Sequence, residues 1–416
     1  MSDLRKLASL DELLTFCEDA ERTQTPSVAM QSMCSVYADS GRSIAMAALD
    51  PFSEEYARAS LALYEEISDV SGYDPWVNER TPYVDVDQTI TSPSPYQYGD
   101  SVTVSDFVLS WGWIFRNLDV KAGASILEYG AGEGQLSIQL ARMGCKVAVV
   151  DIDERYLASV RAQCHSLCID IELVQGQFGD PVRDRRFDRI LFFEAFHHAL
   201  DHGNVLEKLR PLLADNGFVL FSGEPIVEPG SVLVPFPWGP RLDGISVRSM
   251  RKFGWCELGF QRPYFVERLM RAGFLVSHSP CPVSGRGDCF IAKPIRAEMD
   301  IELGGPVLLD IHGLDCGWHL GEGQYRWTNG HARLTLPRLG GFAAITLWLV
   351  NHLPFPRTTL LRCGTVSIET TVESGGRACV KVPIRDGAGT LGWRQLPWPA
   401  CCLTKECYPS SACRSF

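Results

Sequence analysis

No stretch of this 416-residue sequence approaches the roughly 20 consecutive apolar residues that span a bilayer. The longest candidate, Phe342 to Val350, is far too short and contains Thr346. Met1 to Phe16 carries Asp3, Arg5, Lys6, Asp11 and Glu12 without a continuous apolar run, so no signal peptide is expected and the chain reads as cytoplasmic. Positive charge is in deficit: 39 Lys and Arg stand against 50 Asp and Glu, a formal net charge of −11. A surface so acidic argues against broad binding to nucleic acid or anionic membranes. Metal-type cysteine pairs are missing too. Of 15 cysteines, the closest two in the body, Cys164 and Cys168 around His165, fall on an expected helix. No second pair completes the about four ligands of a zinc site, so no metal is expected. There is no internal repeat.

What remains is an ordinary globular composition, 45% hydrophobic and 21% charged, at a length that implies two or three domains. Residues 1–99 read as a helical extension and arm. Helices are expected at Leu4 to Cys17 and at Ser53 to Ser68, where Ser53 can cap and Tyr56, Leu63 and Ile67 share a face. Prolines and tyrosines break the pattern from Tyr73 to Gly99, and helix resumes at Val102 to Asn117.

Over residues 100–297, short apolar runs alternate with helical patterns. Strands are expected at Ser125–Tyr129, Lys146–Asp151, Ile171–Gln175, Arg189–Phe193 and Phe218–Ser222, with helices at Gln135–Met143, Glu154–Cys164 and Asn204–Leu213. That rhythm implies an α/β fold, a parallel sheet covered on both faces. A long irregular insert follows from Pro225 to Gly259. A helix at Pro263–Ala272 and strands at Phe274–His278 and Cys289–Pro294 close the segment. Residues 298–392 read as a small antiparallel β-sandwich, with strands at Val307–Ile311, Ala332–Leu336, Ala343–Val350, Thr365–Thr371 and Ala378–Val382. From Trp393 to Phe416 four cysteines crowd together and the alternation stops, so an irregular tail is expected.

The chemistry concentrates at Ile126-Leu-Glu-Tyr-Gly-Ala-Gly-Glu-Gly-Gln135. A strand runs into Glu128, glycines follow at 130, 132 and 134, and a helix begins. Glycine lets the backbone turn sharply and approach a ligand closely. The next strand ends in Asp151, whose carboxylate can accept two ribose hydroxyls. A dinucleotide site needs G-x-G-x-x-G, but position 135 is Gln, and Glu128 and Glu133 would repel a pyrophosphate.

In these residues the sequence resembles the class I S-adenosylmethionine-dependent methyltransferases over about residues 100 to 295. Further matches follow in order: Gly176-Gln177-Phe178 near the adenine, with Gln where the family often has Asp; Phe187 to His198 at the fourth strand; and Asn216-Gly217-Phe218 before the fifth. The resemblance implies a Rossmann-like core, S-adenosylmethionine as cofactor, and cofactor contacts from Glu128, Gly130, Gly132, Gly134, Asp151, Gln177 and Phe178. His197, His198 and Glu194, past the fourth strand, are candidates for handling a proton. No N/D-P-P-Y motif follows that strand, which disfavours amino methylation of nucleic acid or glutamine.

The insert carries Trp238, Arg241, Arg248, Arg251, Lys252 and Trp255 against Asp243 and Glu257. Guanidinium groups suit an anionic acceptor and tryptophan can stack on a sugar, so Trp238, Arg241, Arg248, Arg251 and Trp255 are the acceptor-binding candidates. Structural packing and internal pairing is the competing reading. The arm at Tyr96 to Asp100 could fold over the cofactor, and Trp318 or Trp327 could stack on a sugar. The expected function is methyl transfer to a small-molecule or glycan-precursor acceptor. The alternative is a catalytically silent cofactor-binding scaffold whose β domain binds a glycan or partner.

Overall fold

The computed structural model describes residues 5–7, 9–22, 33–35, 41–81, 84–95, 100–295, 314–322, 325–335, 344–384 and 390–395. The chain divides into two compact units, residues 1–296 and 297–416.

The first unit is built on seven strands: β1 (Ser125–Tyr129), β2 (Lys146–Asp151), β3 (Glu172–Gln175), β4 (Phe187–Phe193), β5 (Leu213–Ser222), β6 (Phe274–Ser279) and β7 (Cys289–Pro294). Ile126, Leu127, Ala148, Val149, Val150, Ile190, Leu191 and Val219 are all buried. Such continuous apolar runs suit strands covered on both faces. The order is β6-β7-β5-β4-β1-β2-β3. β1 to β5 are parallel, while β7 runs antiparallel to both β5 and β6. Strand order reverses between β1 and β4, so a crevice opens there at the carboxyl ends, where open α/β sheets bind ligands.

The helices around this sheet are α1 (Glu54–Ser68), α2 (Ser101–Leu118), α3 (Gln135–Arg142), α4 (Glu154–Leu167), α5 (His202–Leu209), α6 (Gly244–Phe253) and α7 (Arg262–Arg271). Ser53 caps α1 by accepting from the Tyr56 amide, and Asp100 caps α2 in the same way from Thr103. Helix α1 belongs to the same compact unit as the sheet. Its Tyr56, Leu63, Tyr64 and Ile67 are fully buried, and the Tyr56 hydroxyl donates to the Trp238 carbonyl at 2.7 Å.

Four expectations need correction. The segment Tyr73 to Gly99 is not without helix: Pro75–Asn78 and Val86–Thr91 form short helices, capped by Asp74 and Asp85. The insert Pro225 to Gly259 is not irregular. It holds α6, capped by Asp243 and ended by Gly254 in the left-handed region, and strands Ile226–Val227 and Trp238–Pro240, which flank Leu258–Gln261 in a three-stranded sheet. The helix expected to run to Leu213 ends at Leu209, because Pro211 sits in a 3₁₀ turn that hands the chain to β5. The N-terminal helix spans Leu10–Glu21, after a short strand Arg5–Leu7 paired with Met33–Ser35.

The second unit contains β8 (Leu314–Glu322), β9 (Tyr325–Thr335), β10 (Ala344–Val350), β11 (Arg357–Cys363), β12 (Val366–Val372), β13 (Arg377–Pro383) and β14 (Thr390–Gln395). They form a five-stranded sheet, β8-β9-β14-β11-β12, and a pair, β10-β13, all antiparallel. Leu347, Leu349, Leu361, Val372, Val380 and Val382 point into its core. Strand β11 was not expected from the sequence. The alternation does not stop at Trp393: β14 runs to Gln395 and pairs on both sides. Val307–Ile311, residues 396–416, the Tyr96–Gly99 arm and the side chains of Trp318 and Trp327 lie outside what is described.

Candidate active site

The turn from β1 into α3 is shaped by its three glycines, all at positive φ. A Cβ on Gly130 would meet the Ala195 Cβ at 2.9 Å and the Phe178 ring at 3.1 Å. On Gly134 it would meet a Val160 methyl at 2.6 Å, so that glycine is needed for helix packing. On Gly132 it would meet nothing within 4 Å. The backbone there faces open space, as a loop that cradles a ligand must.

Two buried carboxylates stand at the ends of the adjacent strands, and Asp151 contacts the Gly132 backbone. Glu128, next to last in β1, is buried and accepts a close hydrogen bond from the Ser137 hydroxyl. Burial pushes its pKa up to about 7, against the hydrogen bonds from Ser137. Asp151 ends β2. Its Oδ2 accepts from the Gly132 amide at 3.2 Å and its Oδ1 from the Asp153 amide at 2.9 Å. Burial raises its pKa to about 6, although both amides favour the anion. Gln177 and Phe178 follow β3, where the Gly176 amide donates to the Asp151 carbonyl at 3.0 Å. Gly130, Gly132, Asp151 and Phe178 thus lie close together at the carboxyl ends of the strands, while Gly134 packs on Val160 and Glu128 is buried on Ser137. The Gln177 side chain has no contact here that defines an adenine edge.

The three proton-handling candidates fall just past β4. His197 is buried, and its Nδ1 lies 2.9 Å from Glu224 Oε2. Glu224 also accepts the amides of Ala195, Phe196 and His197 at 3.1, 2.9 and 3.0 Å. Burial raises the Glu224 pKa to about 7, against those amides. The His197 pKa is driven well below its ordinary range by burial and then by the neighbouring His198. His198 Nδ1 lies 3.1 Å from Glu79 Oε2. Burial alone would lower its pKa, but the carboxylates of Glu79, Glu257 and Glu224 outweigh it and lift it to about 9. Glu194 is committed elsewhere: it makes a close ion pair with Arg286 and holds a left-handed backbone, φ 50°.

The insert residues divide. Trp238 is buried, donates from Nε1 to the Pro51 carbonyl at 2.8 Å, and packs against Tyr56, His202 and Tyr264. Arg241 is internally paired, with Nη2 2.7 Å from Glu257 and Nε 3.6 Å from Asp243. Trp255 is half-buried and donates to the Arg80 carbonyl at 3.1 Å. Arg248 is half-buried, and Arg251 is exposed with Asp69 at 3.5 Å.

Three groups at this site carried no signal as site residues. Glu224 is visible in sequence only as the point where the chain leaves β5. Glu79 comes from the short Pro75–Asn78 turn, accepts from the Tyr73 hydroxyl at 2.8 Å and from the Cys256 amide at 2.6 Å, and so ties the N-terminal arm to the insert. Asp153 accepts from the Thr81 amide at 2.8 Å and anchors the same arm beside Asp151.

Residues 127–221 match the methyltransferase domain family. Strand order, glycine turn and paired acidic residues complete the assignment: the chain contains a class I S-adenosylmethionine-dependent methyltransferase domain. It is similar to a ubiquinone biosynthesis O-methyltransferase of Bradyrhizobium diazoefficiens, 31% identical over 109 residues, which is 26% of this chain and 42% of that protein. A glycine/sarcosine/dimethylglycine N-methyltransferase of Actinopolyspora halophila is 31% identical over 144 residues, 33% of this chain and 25% of that one. The chain thus spans less than half the length of either relative. A solved methyltransferase of Aquifex aeolicus superposes with a TM-score of 0.36 at 16% identity, over 50% of this chain and 97% of that one. No helix among the described residues is long and apolar enough to cross a membrane.

Proposed function

We propose that the protein transfers the methyl group of S-adenosylmethionine to a small-molecule or glycan-precursor acceptor. The observation that carries this reading is the open space at Gly132, whose amide donates to Asp151, at the switch point between β1 and β4. Asp151 takes the ribose hydroxyls, Gly130 and Gly132 let the backbone approach the ligand, and Gln177 and Phe178 stand by the adenine. The donor is already activated, so holding acceptor, methyl and sulfur in line supplies much of the rate. The acceptor end is the neighbouring pair His197 and His198, beside the insert's Glu257. For an anionic acceptor the more exposed cations, Arg248 and Arg251, are the contacts, since Arg241 is already neutralised and Trp238 is packed away. The net charge of −11 favours a small acceptor over nucleic acid.

The test is transfer of labelled methyl from S-adenosylmethionine across a panel of sugar nucleotides, uronates, phenols and amines. Transfer to at least one, abolished or cut at least tenfold by Asp151→Ala, is expected. Binding of the cofactor with no transfer to any class would favour the silent-scaffold alternative instead.

A further inference from the structure

Among the described residues, His197, His198 and Glu257 each offer one ligating atom, and these atoms all lie within 4.8 Å of one another. His197 is backed by a carboxylate through a hydrogen bond, and His198 has a carboxylate close by. Nδ1 of His197 is 2.9 Å from Glu224, and Nδ1 of His198 is 3.1 Å from Glu79. A carboxylate on the far nitrogen is the arrangement that fixes the tautomer and orientation of a metal-bound imidazole. For His197 it leaves Nε2 as the ligating atom.

The His197 ring points to the same conclusion. Its Nε2 lies 3.7 Å from Glu257 Oε2, too far for a hydrogen bond. With the proton on Nδ1, a lone pair there faces a carboxylate, two electron-rich atoms with no positive charge between them. Acidic side chains also outnumber guanidinium groups around the rings. Glu79, Glu224, Asp243 and Glu257 surround the pair, and Arg241 is the guanidinium paired among them. Arg241 donates to Glu257 at 2.7 Å, an outer partner that steadies this carboxylate as Glu224 steadies His197. Buried carboxylates without matching cations are costly unless they are paired or hold a metal.

We propose that His197, His198 and Glu257 form a binding site for one divalent transition-metal ion. Two imidazoles and one carboxylate suit zinc, iron(II), manganese or cobalt, and three protein ligands leave positions open for water or an acceptor oxygen. The ligands come from two elements far apart in sequence: the histidines from the end of β4, Glu257 from the insert. An ion there would hold an acceptor hydroxyl and ease loss of its proton. That role rests on the methyl-transfer reading, while the metal site stands without it.

The test uses the full chain without a polyhistidine tag, stripped by chelator and titrated with Co²⁺ or Zn²⁺ alone. One ion per chain is expected, with visible Co²⁺ absorption bands. Glu257→Gln and His198→Asn should each weaken binding at least about 100-fold. Glu224→Gln, acting through His197, should weaken it by about 10- to 100-fold. Thermal unfolding of each variant checks that it is folded. Absence of stoichiometric uptake by the wild-type chain would overturn the proposal, and so would uptake unchanged in folded Glu257→Gln and His198→Asn. Failure of the wild-type chain to bind S-adenosylhomocysteine would instead count against the methyl-transfer reading.

Discussion

Gly132 and Gly134 stand two positions apart, and both hold positive φ, yet they answer to different neighbours. Gly134→Ala drives a Cβ into Val160 at 2.6 Å. Overpacking plus left-handed strain should cost about 2–4 kcal/mol, read as a lower unfolding temperature. Gly132→Ala meets nothing, so its stability cost should stay near the 1–2 kcal/mol of the backbone alone. It should nevertheless weaken cofactor binding more than Gly134→Ala does, once both are compared as folded protein. Equal effects on binding would contradict the assignment of the open space to the ligand.

Asp151 and Glu128 also predict a pH dependence. Burial raises their folded pKa values to about 6 and about 7, above their ordinary values. The folded, empty chain therefore holds protons that the unfolded chain has released. That contribution to stability is present below the ordinary carboxylate range and is lost as pH rises through about 6 for Asp151 and about 7 for Glu128. Ribose hydroxyls donate to the Asp151 anion, so affinity for S-adenosylhomocysteine should rise from about pH 5 and level off above about pH 7. Calorimetric titration across that range checks it, and a flat profile would count against Asp151 as the ribose acceptor.

At the scale of elements, Asp153 joins the donor site to the arm. It caps α4 by accepting from the Arg155 amide at 3.0 Å and holds the Thr81 amide at 2.8 Å. Asp153→Ala should cost about 1–2 kcal/mol through the cap. It should also speed proteolysis within residues 73–81, whereas unchanged cleavage there would mean that the arm is held by other contacts. The elements legible in the sequence were those with strong local pattern: β1, β2 and β7 fall where the apolar runs put them, and the glycine turn is fixed by its own residues. Helix α6 was hidden because it opens on glycine and carries Arg248 and Ser249 between Val247 and Met250, leaving a thin apolar stripe. The carboxylates behind the histidines were hidden for another reason. Glu79 meets the Cys256 amide across 177 positions, and no spacing rule reaches that far.

At the scale of the molecule, the donor crevice, the histidine group and the insert all lie in residues 1–296, and the β-rich second unit holds none of them. The account's central claim is that this crevice binds S-adenosylmethionine through Asp151, and titration of the full chain with S-adenosylhomocysteine tests it most directly. Charge-assisted hydrogen bonds contribute about 1.5–3 kcal/mol, so Asp151→Ala should weaken binding roughly tenfold or more while remaining folded. Wild-type binding with one site per chain and that loss in the variant is the predicted result. Equal affinity in wild type and Asp151→Ala, or no binding by the folded wild-type chain, would contradict it.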